Sequence, residues 1–111
     1  NSVGYNLDGT GEVDTATVRD ALVVVESRAA VLAAPPSGAI EIRRAIEDGA
    51  LTERELVELG ELAMDPGLGR TADDDRLTIY KSVGVAVQDA AAAALVLDAA
   101  TRHGVGKHLR I

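Results

Sequence analysis

Two adjacent side chains able to act on a ligand, Lys81 and Ser82, open the segment KSVGVAVQDAAAAALVLDAA at residues 81–100. A lysine amine and a serine hydroxyl can exchange protons with a substrate or hydrogen-bond to it. Simpler roles compete: an exposed salt bridge to acidic neighbours for Lys81, and a helix cap for Ser82. We favour the salt bridge for Lys81, whereas for Ser82 the cap and the ligand contact are compatible.

Acidic and histidine side chains are the other candidates for chemistry. Glu26 follows the run ALVVV, at the strand end where ligands gather in open α/β sheets, and capping of the next helix is an equal alternative. The acidic triplet at residues 73–75 has ligand oxygens for Mg²⁺, but its flanking arginines favour a solvated, partly paired loop. His103 and His108 have no third ligand at zinc spacing. We interpret them as surface residues and predict no metal site.

The composition limits the classes of partner. The chain has 111 residues, 47% of them hydrophobic and 2% aromatic, which fits one compact domain with an aliphatic core. A formal charge of −7 opposes binding to nucleic acid and to anionic membranes. The sequence contains no cysteine, so it has neither disulfides nor thiolate chemistry. No secretory signal opens it, and we expect a cytoplasmic protein.

The apolar run at residues 81–100 has three interpretations: a membrane span, a buried helix, and a helix that delivers Lys81 and Ser82 to a ligand. A membrane span needs about twenty apolar residues, and each central aspartate costs about 2.5–3.5 kcal/mol on an insertion scale. Asp89 lies near the middle of the run and Asp98 near its end, so we predict a buried helix enclosed on most sides. Gly104, preceded by two basic residues, is typical of its C-terminal end.

The rest of the chain alternates between helical and extended patterns. The run ALVVV is typical of a strand buried on both faces in a parallel sheet, and DRLTIYKS at residues 75–82 is a second extended segment. The pattern therefore predicts an α/β fold. Helix signals lie around these strands: a cap at Asp14, a stop at Pro35 and Pro36, a cap at Ser37 with an end at Gly49, and a capping box of Thr52 and Glu55 opening an amphipathic helix over residues 52–63.

One segment, GRTADDDRLTIYKSVGVAVQDAAAAALV, has an order of glycine, serine and alanine that periodicity does not generate. Together with NSVGYN, GTGEVD, VVVESRAAVL and ELGELA, it resembles the C-terminal third of the ornithine cyclodeaminase and mu-crystallin family. The resemblance covers essentially the whole chain. It implies a dimeric NAD(P)-dependent enzyme with a Rossmann domain and a second domain for substrate binding and dimerisation.

The resemblance also implies a division of the chain. Residues 1–68 are expected to form the C-terminal part of the Rossmann-type NAD(P)-binding domain. Residues 69–111 are expected to be a return segment, with a long buried helix, that packs on the substrate and dimerisation domain. The N–H groups at the start of that helix favour negative charge nearby.

Individual site residues follow from the same resemblance. The NSVG loop resembles one that lies along the nicotinamide end of the cofactor, which makes Asn1, Val3 and Gly4 cofactor neighbours; an ordinary strand-to-loop exit is the alternative. Ser82 resembles a serine that contacts the cofactor, and Val83 resembles a residue that touches substrate.

Asn6 departs from the family pattern. Cyclodeaminases of the family have an aspartate there, whose carboxylate shuttles a proton to or from the substrate amine and imine. An amide cannot do so, which leaves imine reduction with another proton source, or binding without turnover. Thr10 stands where some members have a basic residue near the cofactor.

The expected function is therefore that of a fragment. We expect part of an NAD(P)-dependent, ornithine cyclodeaminase-like oxidoreductase acting on an amino acid or cyclic imine, by deamination or by imine reduction. A noncatalytic, crystallin-like cofactor- or ligand-binding protein is the alternative. Since no Gly-x-Gly-x-x-Gly occurs in the chain, we expect a longer parent and an inactive 111-residue chain. We also expect an exposed apolar face, association with another chain, or poor stability of the chain alone.

Overall fold

The computed structural model of the protein describes residues 1–4 and 9–109. Helices and strands alternate along much of the chain, which confirms the predicted α/β class. The elements are α1 (Thr15–Arg19), β1 (Ala21–Val25), α2 (Arg28–Val31), α3 (Ile40–Glu47), β2 (Val57–Glu58), α4 (Leu59–Met64), β3 (Leu77–Lys81) and α5 (Ala86–His103), with 3₁₀ turns at Glu53–Glu55 and Pro66–Leu68.

The described strands form a parallel sheet in the order β2-β1-β3. Val25 at the end of β1 lies between Glu58 of β2 and Lys81 of β3. Ser2 adds an isolated parallel bridge to Lys81 on the outer side of β3. The carboxyl ends of the strands and residues 1–4 therefore meet along one edge of the sheet, here called the carboxyl edge.

The hydrophobic core lies against β1. All five residues of β1 are buried, which confirms the strand predicted from ALVVV. Asp14 caps α1, as predicted, and its side chain accepts a hydrogen bond from Thr17 N. Aliphatic side chains from helices, loops and β3 complete the core: Val18, Val31, Ala39, Ile42, Ala45, Leu51, Leu56 and Ile79.

Two helix predictions are wrong in detail. The Thr52 and Glu55 capping box exists, but it opens a 3₁₀ turn rather than a long amphipathic helix. The chain then becomes extended, because Leu56 is buried in the core and Val57–Glu58 pairs with β1. Ser37 does not cap α3, whose N-cap is Ala39 without a side-chain hydrogen bond.

Helix α5 exists but is not buried by the rest of this chain. None of its described residues is buried, and Leu95, Val96 and Leu97 are 68–70% exposed. The other described elements pack around β1 instead, which leaves α5 without a neighbour along most of its length. The predicted exposed apolar face is therefore confirmed. None of the described helices has the length and apolar character of a membrane span.

The ends of α5 are set by local backbone geometry. Gly104 closes the helix with a φ of 64°, as predicted. At the other end the helix begins at Ala86 with Val85 as its N-cap, so the prediction that Ser82 caps it is wrong. The predicted division at residues 68 and 69 stays a prediction; β3, on its C-terminal side, pairs with β1.

Candidate functional site

The carboxyl edge brings two distant serine-containing segments together. Ser2 N donates to the Tyr80 carbonyl at 2.9 Å, and Ser82 N donates to the Ser2 carbonyl at 3.0 Å. The segments NSVG and KSVG are thus neighbours across a parallel pairing. In open α/β sheets this is the side on which ligands bind.

A buried ammonium lies beneath these segments. Lys81 is 2% exposed, and its Nζ lies 2.9 Å from Glu41 Oε1 and 3.0 Å from Glu12 Oε2. The same Nζ donates to the Gly4 carbonyl at 2.9 Å and to Ser2 Oγ at 3.2 Å. The predicted salt bridge is confirmed, but its partners are distant in sequence and Lys81 is buried rather than exposed. We call these five residues the Lys81 cluster.

Glu12 is the centre of hydrogen bonding in the Lys81 cluster. Its Oε2 accepts from Ser2 Oγ at 2.5 Å, from Gly4 N at 2.8 Å and from Lys81. The hydrogen bonds from Ser2, Lys81 and Gly4 lower the pKa of Glu12 from 4.5 to about 2. Burial by itself lowers the pKa of Lys81, but the hydrogen bonds and charges of Glu41 and Glu12 outweigh it and raise that pKa. Both groups are therefore charged at neutral pH.

Gly4 packs directly against the Glu12 carboxylate of this cluster. A Cβ atom at this position would lie 1.8 Å from Glu12 Oε1, so a side chain there would require the carboxylate or the backbone to move. Contact with Glu12 within the chain therefore already explains a glycine at this position, where we expected a small residue for contact with a cofactor.

A second acidic residue holds the turn between β3 and α5. Glu26 Oε1 accepts from Val83 N at 2.6 Å, from Gly84 N at 2.7 Å and from Ser82 Oγ at 3.1 Å. Ser27, not Glu26, caps α2, so the capping interpretation of Glu26 is wrong. Glu26 Oε2 is buried and has no hydrogen-bond partner in the described part of the chain. We call this arrangement the Glu26 clamp.

A cleft of about 120 Å³ opens beside the Lys81 cluster. Its wall combines charged groups of the cluster with small and apolar residues: Gly4, Gly9, Thr10, Glu12, Pro35, Pro36, Gly38, Ala39, Ile40, Glu41, Arg43 and Lys81. The cleft gives access to the buried ion pairs from outside the sheet.

The acidic loop is paired rather than open to a metal. Asp74 Oδ2 lies 2.7 Å from Arg76 Nη2, and the hydrogen bonds from Arg76 lower the pKa of Asp74 to about 2. Between residues 9 and 109 and in residues 1–4, no group of three or more His, Cys, Asp or Glu is arranged to hold a metal ion. His103 and His108 are exposed.

Comparison with known proteins decides the family. Residues 1–104 match the ornithine cyclodeaminase/mu-crystallin family. The chain belongs to this family. The resemblance predicted from GRTADDDRLTIYKSVGVAVQDAAAAALV is confirmed.

Three similar proteins are reductases. The chain is 31% identical to the Delta(1)-pyrroline-2-carboxylate reductase of Bacillus cereus, over 98% of this chain and 33% of the relative. It is 33% identical to the Thermococcus litoralis Delta(1)-pyrroline-2-carboxylate reductase, solved with NADH and L-proline, with a TM-score of 0.73 over 90% of this chain and 30% of that one. The iminosuccinate reductase of Paracoccus denitrificans, solved with NAD+, is 30% identical, with a TM-score of 0.67 over 92% and 30%. The chain spans about a third of the length of these relatives.

The site residues predicted from the resemblance to this family lie close together where the structure describes them. Val3, 68% exposed, lies at the carboxyl edge with Asn1, Gly4 belongs to the Lys81 cluster, and Ser82 and Val83 belong to the Glu26 clamp. Asn6 lies outside the described residues. The structure thus brings all the described members of this set to one edge of the sheet, whereas their roles toward a ligand stay predictions.

Glu12 and Glu41 were missed by sequence reasoning. The missed signal is the alternation of β3, in which Lys81 shares the core-facing side with buried Ile79. A lysine at such a position needs buried anionic partners.

Proposed function

We propose that this chain is part of an NAD(P)-dependent oxidoreductase that interconverts a cyclic imine or imino acid with the corresponding amino acid. The carrying observation is the carboxyl edge, where residues 1–4 and the turn Ser82–Gly84 lie side by side. Two family relatives solved in complex with NADH or NAD+ share this fold at 30% identity or more, which supports the proposal.

The carboxyl edge fits the nicotinamide end of a dinucleotide. Val3 presents an exposed apolar surface against which a ring can pack, and the Gly4 backbone has no side chain in the way. The Ser82 hydroxyl supplies a polar contact beside it. When bound, NAD(P)H supplies the hydride that is added to the imine carbon. We accordingly propose Asn1, Val3, Gly4 and Ser82 as cofactor neighbours and Val83 as a substrate neighbour.

The pyrophosphate needs residues that this chain does not contain. A Rossmann unit binds it at a glycine-rich turn opening a helix, and no Gly-x-Gly-x-x-Gly occurs here. We propose that a longer polypeptide supplies that turn, with residues 1–68 completing its nucleotide-binding domain and residues 69–111 forming the return segment. The exposed apolar side chains of α5 then pack on the substrate domain or on the second subunit of a homodimer.

Asn6 favours reduction over cyclodeamination. Reduction of an imine adds a hydride to carbon and one proton to nitrogen. Release of ammonia from a diamine needs additional proton transfers, for which an amide has no suitable group. A polypeptide with Asn6 is therefore better matched to the reductase relatives than to a cyclodeaminase.

Asn6 is also compatible with a second function, binding without turnover. If no other group supplies the proton, the protein binds cofactor or ligand without turnover, as a crystallin-like binding protein. Both proposals share the carboxyl edge and differ in whether the substrate is converted.

The test uses the natural polypeptide that contains this sequence. NADH or NADPH oxidation is followed with Delta(1)-pyrroline-2-carboxylate and with iminosuccinate, and ammonia release is followed with L-ornithine and NAD+. We expect cofactor oxidation with an imine and no ammonia from ornithine. Tight cofactor binding without oxidation would favour the binding protein, and ammonia release by the unaltered protein would contradict the role given to Asn6.

A further inference from the structure

In the Glu26 clamp, a carboxylate of the protein accepts hydrogen bonds from backbone amides at the carboxyl edge, where we propose that the ligand binds. Two successive backbone amides, those of Val83 and Gly84, converge on Glu26 Oε1 at 2.6 and 2.7 Å. Gly84 has a φ of 81°, in the left-handed region. Successive amides that converge in this way form a concave nest that binds anions. Here the anion is a side chain of the protein itself.

The clamp also fixes the direction of the Ser82 hydroxyl. Oε1 of Glu26 is a hydrogen-bond acceptor, since it accepts from two amide N–H groups. The Ser82 hydroxyl, 3.1 Å away, therefore donates its proton to Oε1. A serine hydroxyl has one proton and two lone pairs. One lone pair accepts from Gly84 N at 3.2 Å. The remaining lone pair is the one polar function that Ser82 can offer to a ligand.

We propose that Glu26 is a positioning and specificity residue: it makes Ser82 a hydrogen-bond acceptor for an N–H donor of the ligand and closes the adjacent amides to anions. This rests on the proposed function. The matching N–H groups are the carboxamide of a nicotinamide ring and the ring nitrogen of a protonated cyclic imine or of its amino-acid product. A phosphate or carboxylate finds no free donor in this turn.

The shape of the clamp explains why Glu26 acts through Ser82 and not directly. Its second oxygen, Oε2, is buried, so a ligand at the carboxyl edge does not reach it. Oε2 has no hydrogen-bond partner among the described residues, so every hydrogen bond that they give to the carboxylate comes from the turn. Loss of Glu26 therefore removes the shared acceptor of three donors at once, and of these only the Gly84 N–H keeps a second acceptor, Ser82 Oγ at 3.2 Å.

The first experiment measures selectivity for the cofactor amide. The natural polypeptide and its Glu26→Ala, Glu26→Gln and Ser82→Ala variants are compared with NADH and with reduced 3-acetylpyridine adenine dinucleotide, whose acetyl group has no N–H. We expect the kcat/KM preference for NADH to fall about fivefold in Glu26→Ala and in Ser82→Ala. Glu26→Gln keeps an acceptor oxygen and is expected to keep the preference.

A parallel comparison addresses the substrate nitrogen. L-proline and tetrahydrofuran-2-carboxylate have similar shapes, but the second has an oxygen in place of the N–H group. If Ser82 accepts from the substrate, the inhibition constants of the two compounds converge by about fivefold in Glu26→Ala and Ser82→Ala. Unchanged selectivity in both comparisons overturns the proposal, because a merely structural role lowers activity with all compounds equally. The exposed Glu55, changed to Gln, is the control for loss of a carboxylate.

The anion part of the proposal has a readout without activity. Inorganic phosphate is titrated by calorimetry into the unaltered protein and the Glu26→Ala variant, after circular dichroism shows that both are folded. Because the pyrophosphate turn proposed for the longer polypeptide can itself bind phosphate, we expect the variant to bind one phosphate more than the unaltered protein. If both bind the same number, the nest is not an anion site and this part fails. If the unaltered protein lacks reductase activity, the proposed function fails while the phosphate result still decides the clamp.

Discussion

The ammonium of Lys81 lies 2.9 Å from Glu41 Oε1, and both side chains are at least 95% buried. This pair joins the carboxyl end of β3 to α3. Glu12 and the backbone of Gly4 are drawn to the same ammonium, so the position of residues 1–4 depends on it. An ion pair in the core thereby supports the edge at which we place the ligand.

Loss of the buried ammonium is expected to be costly. Lys81→Met leaves two carboxylates without their shared partner, and breaking a buried pair in this way destabilises by about 3–5 kcal/mol. The measurement is urea unfolding of the natural polypeptide. Lys107→Met, the same change at an exposed lysine, is the matched control and is expected to stay within about 0.5 kcal/mol. Equal effects of the two changes would contradict the structural role of Lys81.

The low pKa of Glu12 predicts acid sensitivity. Its folded pKa of about 2 lies below the ordinary 4.5, so ionised Glu12 stabilises the folded state above pH 4.5. This contribution is lost as the pH falls from 4.5 toward 2. We expect Glu12→Gln to flatten the stability profile in that window, measured by urea unfolding at each pH. An unchanged slope, or an equal change in the exposed Glu53→Gln, would contradict the assignment.

Gly4 provides a steric test of the same cluster. Gly4→Ala places a Cβ 1.8 Å from Glu12 Oε1, so the carboxylate or the backbone must move. We expect a loss of about 1–3 kcal/mol in the free energy of unfolding. Gly60→Ala is the control, because its Cβ meets nothing within 4 Å and helix α4 favours alanine by about 1 kcal/mol. Opposite signs are expected, and a neutral Gly4→Ala would argue against the close approach.

The apolar side chains of α5 predict an interface in the longer protein. Leu97 is 69% exposed here, and burial of a leucine contributes about 2 kcal/mol. If α5 packs on the second subunit of a homodimer, both subunits lose this leucine, and Leu97→Ala weakens dimerisation by about 4 kcal/mol, on the order of 1,000-fold. Analytical ultracentrifugation measures this, with Arg102→Ala on the exposed helix end as control. An unchanged dimer with lowered unfolding stability would place α5 against the substrate domain instead.

The sequence predicts best where one local pattern decides the structure. The run ALVVV became a buried strand, and Gly104 ended α5, since hydrophobic burial and a left-handed glycine act locally. The helix over residues 52–63 failed because pairing with β1 outweighed helix propensity at Val57–Glu58. Tertiary contacts of this kind leave no local signal.

The sequence predicts where the site lies but not which side chains form hydrogen bonds with its residues. The resemblance directed attention to Ser82 and Gly4, and both lie at the carboxyl edge. Glu26 lies 56 residues away from Ser82 in the chain, so spacing could not pair them, and Glu12 lies eight residues from Gly4, a separation that no helix or strand pattern pairs. The sequence predicts Ser82 as a helix cap, but the turn held by the Glu26 clamp comes first and the helix begins at Ala86.

The most direct test of the central claim follows a hydride into the product. The natural polypeptide is given Delta(1)-pyrroline-2-carboxylate and NADH deuterated at nicotinamide C4 on either face, and the product is analysed by mass spectrometry. The account predicts proline with one deuterium at its α carbon from one of the two cofactors. Cofactor binding with no deuterium in any product would contradict the oxidoreductase assignment and leave the binding protein.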